Sequence, residues 1–386
     1  MSRPLFPFRT PKVIWAAPGA VAKLGPEAKR LGATRVLIIT DRGLMATGAP
    51  ERLAGLLAAE GIASSIYSDV QAEPSAESLE PVVALLKNEQ ADLVVGVGGG
   101  SAIDVAKAAA LLAANGGTAY DYFGTELVKK PGLPVIAIPT TAGTGAEATP
   151  NAIFTDTKEL VKKGIISAYM MPEVAIVDAE LTLTVPARVT AATGMDALTH
   201  AIESYTSVKA TPMTDLYAAE AIRLIGRSIR TAVFRGSDIE ARSDMALGSL
   251  NAGFSIANAG TGAVHAMAYP LGGQFHVPHG IANAALLPYV LRWNVQGNVA
   301  KFAQVAALLG EKVEGLSALE AAERAVAAVA RLSRDLGIPE HLSEFGVKAE
   351  DLPAMAAFSH ATRRLMDNNP RNLTLAEVEQ IYREAL

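Results

Sequence analysis

The chain of 386 residues contains no cysteine. That absence removes disulfides, thiol nucleophiles, iron–sulfur clusters and every Cys-ligated zinc site, so a metal would have to be held by oxygen and imidazole ligands. Histidine is scarce as well, with six in all, and four of them (His200, His265, His276, His279) fall between residues 200 and 279. No stretch reaches about 18 uncharged apolar residues, which excludes a membrane-spanning helix on length. Runs of Lys and Arg are also missing. The formal charge is −5, from 34 Lys and Arg against 39 Asp and Glu, so no nucleic-acid partner is expected. The segment Met1–Ala20 has two Arg and a short apolar patch at Val13–Ala17, but Pro4, Pro7, Pro11 and Pro18 break any signal-type helix. A cytoplasmic location is expected on that reading. Internal repeats and low-complexity tracts are lacking too.

What is present is apolar mass. Half of the residues are hydrophobic and 19% are charged, enough to bury large cores, and the length suits two packed domains. From about residue 35, short β-branched runs (Arg35–Thr40, Ser64–Tyr67, Leu93–Val97, Val135–Pro139, Val174–Asp178) alternate with helical stretches at Pro50–Ala59, Ser75–Lys87 and Ala102–Ala114. This pattern predicts a parallel sheet covered by helices. Beyond Leu181-Thr-Leu-Thr-Val-Pro186 the chain turns to long helical segments: Ala187–Tyr205, Thr214–Val233, Ala241–Ala259, Gly262–Tyr269 and most of 300–385. The expected plan is an α/β domain over residues 1–183 and an all-α domain over residues 184–386.

Leu93-Val-Val-Gly-Val-Gly-Gly-Gly-Ser-Ala-Ile-Asp104 reads as a strand, a glycine cluster and a helix start. Glycines let a backbone approach a ligand, and the first N–H groups of the helix form an anion site, so a pyrophosphate fits around Gly98, Gly99, Gly100 and Ser101. A ligand-free tight turn would use the same residues, and Ser101 stands where the third glycine of a G-x-G-x-x-G fingerprint would be. Asp41 follows the strand Val36–Thr40 directly. A carboxylate there accepts from ribose hydroxyls and repels a 2′-phosphate, which favours NAD over NADP, unless Asp41 only opens a turn. Ile138-Pro-Thr-Thr-Ala-Gly-Thr-Gly-Ala-Glu147 ends the next strand in small hydroxyl residues and suits a backbone wrapped around a polar ligand; an ordinary turn built by Ser and Thr side chains has the same look.

Asp196 and His200, four apart on a predicted helix, share one face. His265 falls on a second helix and His279 just past a proline-fixed turn, both in apolar surroundings where imidazoles need partners. Together with one carboxylate and no thiol, the four predict a divalent metal site. His276, three before His279, reads equally as a loop residue or a substrate contact. His341 and His360 lie in an amphipathic region and carry no prediction.

Three segments carry a resemblance to a known family: Gly98-Gly-Gly-Ser-Ala-Ile-Asp-Val-Ala-Lys107, Pro139-Thr-Thr-Ala-Gly-Thr-Gly-Ala-Glu147, and the Asp196/His200/His265/His279 quartet with its flanks. The chain resembles the iron-containing (group III) alcohol dehydrogenases, from the first strand to about residue 300. The resemblance implies the dehydroquinate synthase-like, iron-dependent alcohol dehydrogenase fold, in which a Rossmann-like dinucleotide-binding α/β domain precedes an all-α metal-binding domain. It implies NAD, with Fe²⁺, Zn²⁺ or another divalent ion, and a homo-oligomer, dimer or higher. Carried over by position, Asp41 is similar to the adenosine ribose contact and Gly98 to Ser101 to the pyrophosphate loop. Thr140, Thr141, Thr144, Thr149 and Lys162 are similar to further cofactor contacts, and Asn151 and Phe254 to residues narrowing the substrate pocket. Tyr269, one turn after His265, departs from relatives that carry a histidine there. A phenol titrates near 10, so a proton relay at this position would have a different pH dependence, or Tyr269 only shapes the pocket.

The implied reaction is hydride transfer between nicotinamide and a small alcohol, diol or hydroxy acid, with Tyr269 and His265 as catalytic candidates. Tyr205-Thr-Ser-Val-Lys209 formally matches the Tyr-x-x-x-Lys pair of short-chain dehydrogenases, but those enzymes carry their glycine turn after the first strand, and an exposed helical face accounts for the pair. The alternative is a metal- and NAD-using lyase of the dehydroquinate synthase-like type. It would need several Lys and Arg converging on the metal, and only Arg188 is near in sequence. A non-catalytic binding protein would be marked by lost ligands, and none is missing.

Overall fold

The computed structural model describes residues 6–159 and 161–386; the sequence reading at Met1–Leu5 lies outside them. The chain divides into two compact units, Arg9–Val185 and Pro186–Leu386, the latter joined by the described residues up to Phe8.

In the first unit a six-stranded sheet is built from β1 (Val13–Ala16), β2 (Arg35–Ile39), β3 (Ala63–Tyr67), β4 (Leu93–Gly98), β6 (Val135–Pro139) and β9 (Val174–Val177). A smaller sheet contains β5 (Gly124–Thr125), β7 (Asn151–Asp156) and β8 (Val161–Ile166). The large sheet is parallel throughout, in the order β1-β9-β6-β4-β2-β3. Its central strands are apolar on both faces, as parallel strands covered by helices must be. Alternation along β2 sends Leu37 and Ile39 into one core and Val36 and Ile38 into the other. Each such buried aliphatic side chain stabilises by about 1.5–3 kcal/mol.

The helices of this unit are α1 (Leu24–Arg30), α2 (Arg42–Met45), α3 (Ala49–Ala59), α4 (Leu79–Asn88) and α5 (Gly100–Asn115). The Leu37 face packs beneath α4 and α5, and the Val36 face beneath α1 and α3. The chain goes from β2 outward to β3, then crosses back to β4 on the other side of β2. The sheet order therefore switches between β2 and β4, and ligands of open α/β sheets bind outside the carboxyl ends of the strands at such a point.

Two elements differ from the sequence expectation. The patch Val13–Ala16 is an edge strand paired with β9. Asn151–Asp156 and Val161–Ile166 pair antiparallel as β7 and β8, which periodicity did not show because Lys162, Lys163 and Gly164 interrupt the β-branched pattern of the second strand.

The second unit is helical: α6 (Ala187–Thr206), α7 (Pro212–Phe234), α8 (Ile239–Ala259), α9 (Ala263–Phe275), α10 (His279–Asn294), α11 (Val299–Leu308), α12 (Ala318–Asp335), α13 (Leu352–Ala361), α14 (Arg363–Met366) and α15 (Leu375–Ala385). No strand occurs there among the described residues. The centre is α6, buried without a break from Gly194 to Thr206 and packed by α7, α8 and α10. Among the described residues, no helix is long and apolar enough to cross a membrane.

Candidate active site

Asp196 sits midway along α6, His265 in the first turn of α9, and His279 is the first residue of α10. One ligand atom from each lies within 4.8 Å of the others. His265 Nε2 is 3.7 Å and His279 Nε2 3.8 Å from Asp196 Oδ1. These separations are too long for hydrogen bonds, and they match atoms that each sit about 2.1 Å from a shared ion. His265 Nε2 is buried and has no hydrogen-bond partner. A buried imidazole nitrogen left unmatched costs about 1–3 kcal/mol, and an ion among these three groups would satisfy it. The donor set therefore fits a divalent cation. His279 is 35% exposed while Asp196 and His265 are near 5%, so the site opens at His279. His200 lies outside this three-residue group, with its ring stacked on that of His265 at 4.6 Å and 19°.

Two residues that the sequence reading did not single out brace the cluster. Glu203, buried on α6, faces His265 Nδ1 through Oε2 at 2.5 Å and accepts the Val264 N–H through Oε1 at 2.7 Å. Gly262, the N-cap of α9, has no side chain to cap the helix, so the Glu203 carboxylate takes that role and holds the ring at once. A Cβ at Gly262 would stand 3.2 Å from Glu203 Oε1, tighter than ordinary contact. Asn283, one turn into α10, donates to Asp196 Oδ1 at 2.7 Å and lies 3.1 Å from His279 Nε2. A Cβ at Gly280 would meet the Ala192 carbonyl oxygen at 2.4 Å, so glycine is what lets the start of α10 press against α6.

Burial pushes the Asp196 carboxyl up, but the charges of His200, His279 and His265 and the Asn283 amide bring it below its ordinary value. Burial pushes His265 down, and the Glu203 charge and hydrogen bond, with the Asp196 charge, outweigh it, so its proton affinity is raised. The charge of Arg364 opposes that rise.

Tyr269 follows His265 by one turn of α9 and is partly buried. Its hydroxyl accepts from Arg364 Nη2 at 3.3 Å. Closeness in sequence had offered only Arg188, which is exposed at the start of α6; the fold brings Arg364 in from 95 residues further on. Phe254 is buried on α8 and meets the Tyr217 ring edge-on at 5.1 Å. The Tyr205–Lys209 pair is not an exposed helical face. Tyr205 is buried and donates to Gln304, whereas α6 ends at Thr206, before Lys209.

In the first unit, β4 runs into α5 through the glycines. Gly98 has φ +147°, and a Cβ there would stand 2.8 Å from Ala102 Cβ; at Gly96 it would stand 2.7 Å from Ala106 Cβ. Both glycines therefore let α5 lie close on the sheet. A Cβ at Gly100 would meet Thr144 at 2.8 Å, and one at Gly99 only Thr141, at 3.7 Å. The N-cap Gly99 supplies no side-chain bond, which leaves the first N–H groups of α5 to a ligand.

Asp41 opens the turn into α2 and also lies beside the glycine turn. Oδ1 caps Leu44 N–H at 3.0 Å, and Oδ2 faces the glycine turn, 3.4 Å from where a Gly98 Cβ would be. The Ser101 hydroxyl donates to the Ala72 carbonyl at 2.5 Å, so its side chain is already engaged within the protein. Thr140 N–H donates to Gly98 O at 2.9 Å. Lys162, on β8, pairs with Glu73 at 3.2 Å, next in sequence to Ala72.

Lys107, with a fully buried side chain, donates to the carbonyls of Ala146 (2.9 Å), Thr149 (3.3 Å) and Asn151 (2.5 Å) and pairs with Asp104 at 3.0 Å. It holds the segment carrying Thr149 and Asn151 against α5. Beside it, burial pushes the Glu147 carboxyl up to about 7, against a backbone hydrogen bond and the Lys107 charge.

Comparison with known proteins adds relatives to this geometry. Residues 11–179 match the iron-containing alcohol dehydrogenase family, and residues 190–386 match the C-terminal part of the Fe-containing alcohol dehydrogenase family. The chain is 43% identical to a 1,3-propanediol dehydrogenase of Klebsiella pneumoniae, over all of both chains. It superposes on the crystal structure of a 1,3-propanediol oxidoreductase with a TM-score of 0.97 at 43% identity, covering 99% of this chain and 100% of that one. A sulfoacetaldehyde reductase of Bifidobacterium kashiwanohense in complex with NAD⁺ gives a TM-score of 0.90 at 29% identity, over 99% of each chain. The chain thus belongs to the iron-containing alcohol dehydrogenase family and is a metal-dependent, NAD-linked oxidoreductase.

Proposed function

We propose that the chain oxidises a small alcohol, diol or hydroxy acid with NAD⁺, and reduces the matching carbonyl with NADH, at the Asp196–His265–His279 cluster. The observation that carries this reading is the buried, unpartnered Nε2 of His265 aimed at the group that also holds Asp196. Asp196, His265 and His279, with His200 as a fourth ligand, would hold Fe²⁺, or Zn²⁺ or another divalent ion. When bound, the ion would supply a Lewis acid that lowers the pKa of an alcohol O–H, and NAD⁺ would supply the acceptor for the carbinol hydride, with one proton released overall. The relatives named for 1,3-propanediol and for sulfoacetaldehyde act on a neutral and a sulfonated compound, so family membership leaves the charge of the substrate open.

The remaining work falls to the chain's own side chains. Glu203 accepts the His265 Nδ1 proton, which leaves the Nε2 lone pair directed into the cluster. Asn283 braces Asp196 against rotation. Tyr269 is the proton-relay candidate: Arg364 donates to its oxygen, so its own proton remains free for donation to the reacting oxygen. Asn151 and Phe254 are proposed to narrow the pocket.

The domain over residues 1–183 is proposed to bind NAD, and the domain over residues 184–386 to hold the metal and perform catalysis. Asp41 would accept from a ribose hydroxyl and repel a 2′-phosphate. Gly98, Gly99, Gly100 and Ser101 would present backbone N–H groups to the pyrophosphate, with Thr140, Thr141, Thr144, Thr149 and Lys162 around them. We further propose a cytoplasmic homo-oligomer. Leu216 (73% exposed) and Phe234 (68%) on α7 offer apolar surface for a second copy, which sedimentation would detect. The function is tested by His265→Ala. Metal content and alcohol turnover are expected to vanish while NAD⁺ binding persists; full activity in that variant would end the reading.

A further inference from the structure

Arg363 and Arg364 are neighbours on α14 with different surroundings. Arg363 pairs with Asp367, one turn on. Arg364 has Asn368 in the equivalent place, and that amide is spent on the Thr261 carbonyl at 2.9 Å. The Arg364 guanidinium instead reaches α9 and donates through Nη2 to the Tyr269 hydroxyl. A neutral phenol oxygen does not cancel its charge, and among the described residues Arg364 makes no ion pair. Most of its five donors remain free, in the planar fork that suits a carboxylate.

Its location gives this free charge a use. Tyr269 and His265 are four apart on α9, so they project from one face about 6 Å apart along the helix. Arg364 is exposed, hence open to a ligand, and its charge is felt at His265. A cation held one turn from a metal-ligating nitrogen recognises an anionic group a few bonds from the reacting carbon.

We propose that Arg364 binds an anionic group on the substrate, a carboxylate foremost, so that the substrates are short hydroxy acids and their aldehyde-acid counterparts. The inference rests on the reaction proposed above at the Asp196–His265–His279 cluster. It adds no chemical step: the anionic group is held and leaves unchanged.

The test compares kcat/KM of the metal-loaded enzyme for 4-hydroxybutyrate, 3-hydroxypropane-1-sulfonate and neutral 1,4-butanediol. Wild type is expected to prefer the anions, and Arg364→Gln to reduce the anion-to-diol ratio roughly ten- to a hundredfold, mostly through KM, as expected for a lost charge-assisted hydrogen bond. Arg364→Lys should restore part of the carboxylate preference. A preference for the sulfonate over the carboxylate would move the favoured group within the anionic class. Preference for the diol in wild type, or an unchanged ratio in Arg364→Gln, overturns the proposal. If none of the three is turned over, the substrate class proposed above fails on its own account. Calorimetric binding of butyrate then still decides on Arg364, since equal affinity in wild type and Arg364→Gln would refute it.

Discussion

At the start of α5 the chain strips side chains away, whereas where α6, α9 and α10 meet it crowds them together. Around Gly98–Gly100 the space is kept by missing Cβ atoms, and the groups on offer are backbone N–H donors suited to an anion. Around Asp196 the groups on offer are a carboxylate and imidazoles suited to a cation, two of them braced by a residue from another helix: His265 by Glu203, Asp196 by Asn283. An anion site can be built from local sequence alone, because consecutive residues supply all of it. A cation site needs side chains that converge, so the fold must deliver them.

Substitutions at either place can break that contrast, and the largest effect is expected beside the glycine turn. Glu147, buried under Lys107, has its carboxyl raised from 4.5 to about 7. A raised carboxyl means that the folded chain holds the proton more tightly than the unfolded one. The stability it contributes is thus complete below about pH 4.5 and is lost as pH rises to about 7, roughly 3 kcal/mol in all. Glu147→Gln should flatten that part of the denaturation profile and gain on wild type above pH 7; parallel profiles would disprove it.

Gly98→Ala should cost about 1–3 kcal/mol through its φ of +147° and the contact with Ala102, seen as a lower Tm together with weaker NAD⁺ binding. Unaltered NAD⁺ affinity would mean that this turn does not serve the cofactor. Glu203→Gln is expected to weaken metal affinity roughly ten- to a hundredfold by loosening His265, measured by competition with a chelator, and unchanged affinity would reduce Glu203 to a helix cap. The smallest effect is predicted for Ser101→Ala. Its hydroxyl is already bonded to Ala72, so NAD⁺ affinity should move by no more than a few-fold, and a larger drop would show that the side chain does reach the cofactor.

The same contrast explains what was legible in the sequence. The alternating pattern of β2, the glycine turn and the helical second half could be read because each is local periodicity or composition. Asp196, His265 and His279, which the fold brings together, stood out because histidine is rare and cysteine absent, whereas His200, predicted alongside them, stacks on His265 outside that group. Glu203 was overlooked although it left a trace: a lone acid in the apolar run Ala197–Tyr205, three residues after His200, must be buried and therefore partnered. Asn283, one turn after His279, left a fainter trace of the same kind. The β7–β8 hairpin was hidden by Lys162, Lys163 and Gly164, residues poor in strand propensity that pairing and burial overrule. Arg364 left no sign at all, since its meaning comes only from the fold placing it against Tyr269.

The central claim, that Asp196, His265 and His279 hold a catalytic divalent ion, is tested most directly by stripping the wild-type enzyme with a chelator and reloading it with Fe²⁺ without oxygen, following metal content and NADH formation together. The account predicts one ion per chain, with activity lost and regained in proportion to it. A stripped enzyme that keeps its full rate of NADH formation would contradict it.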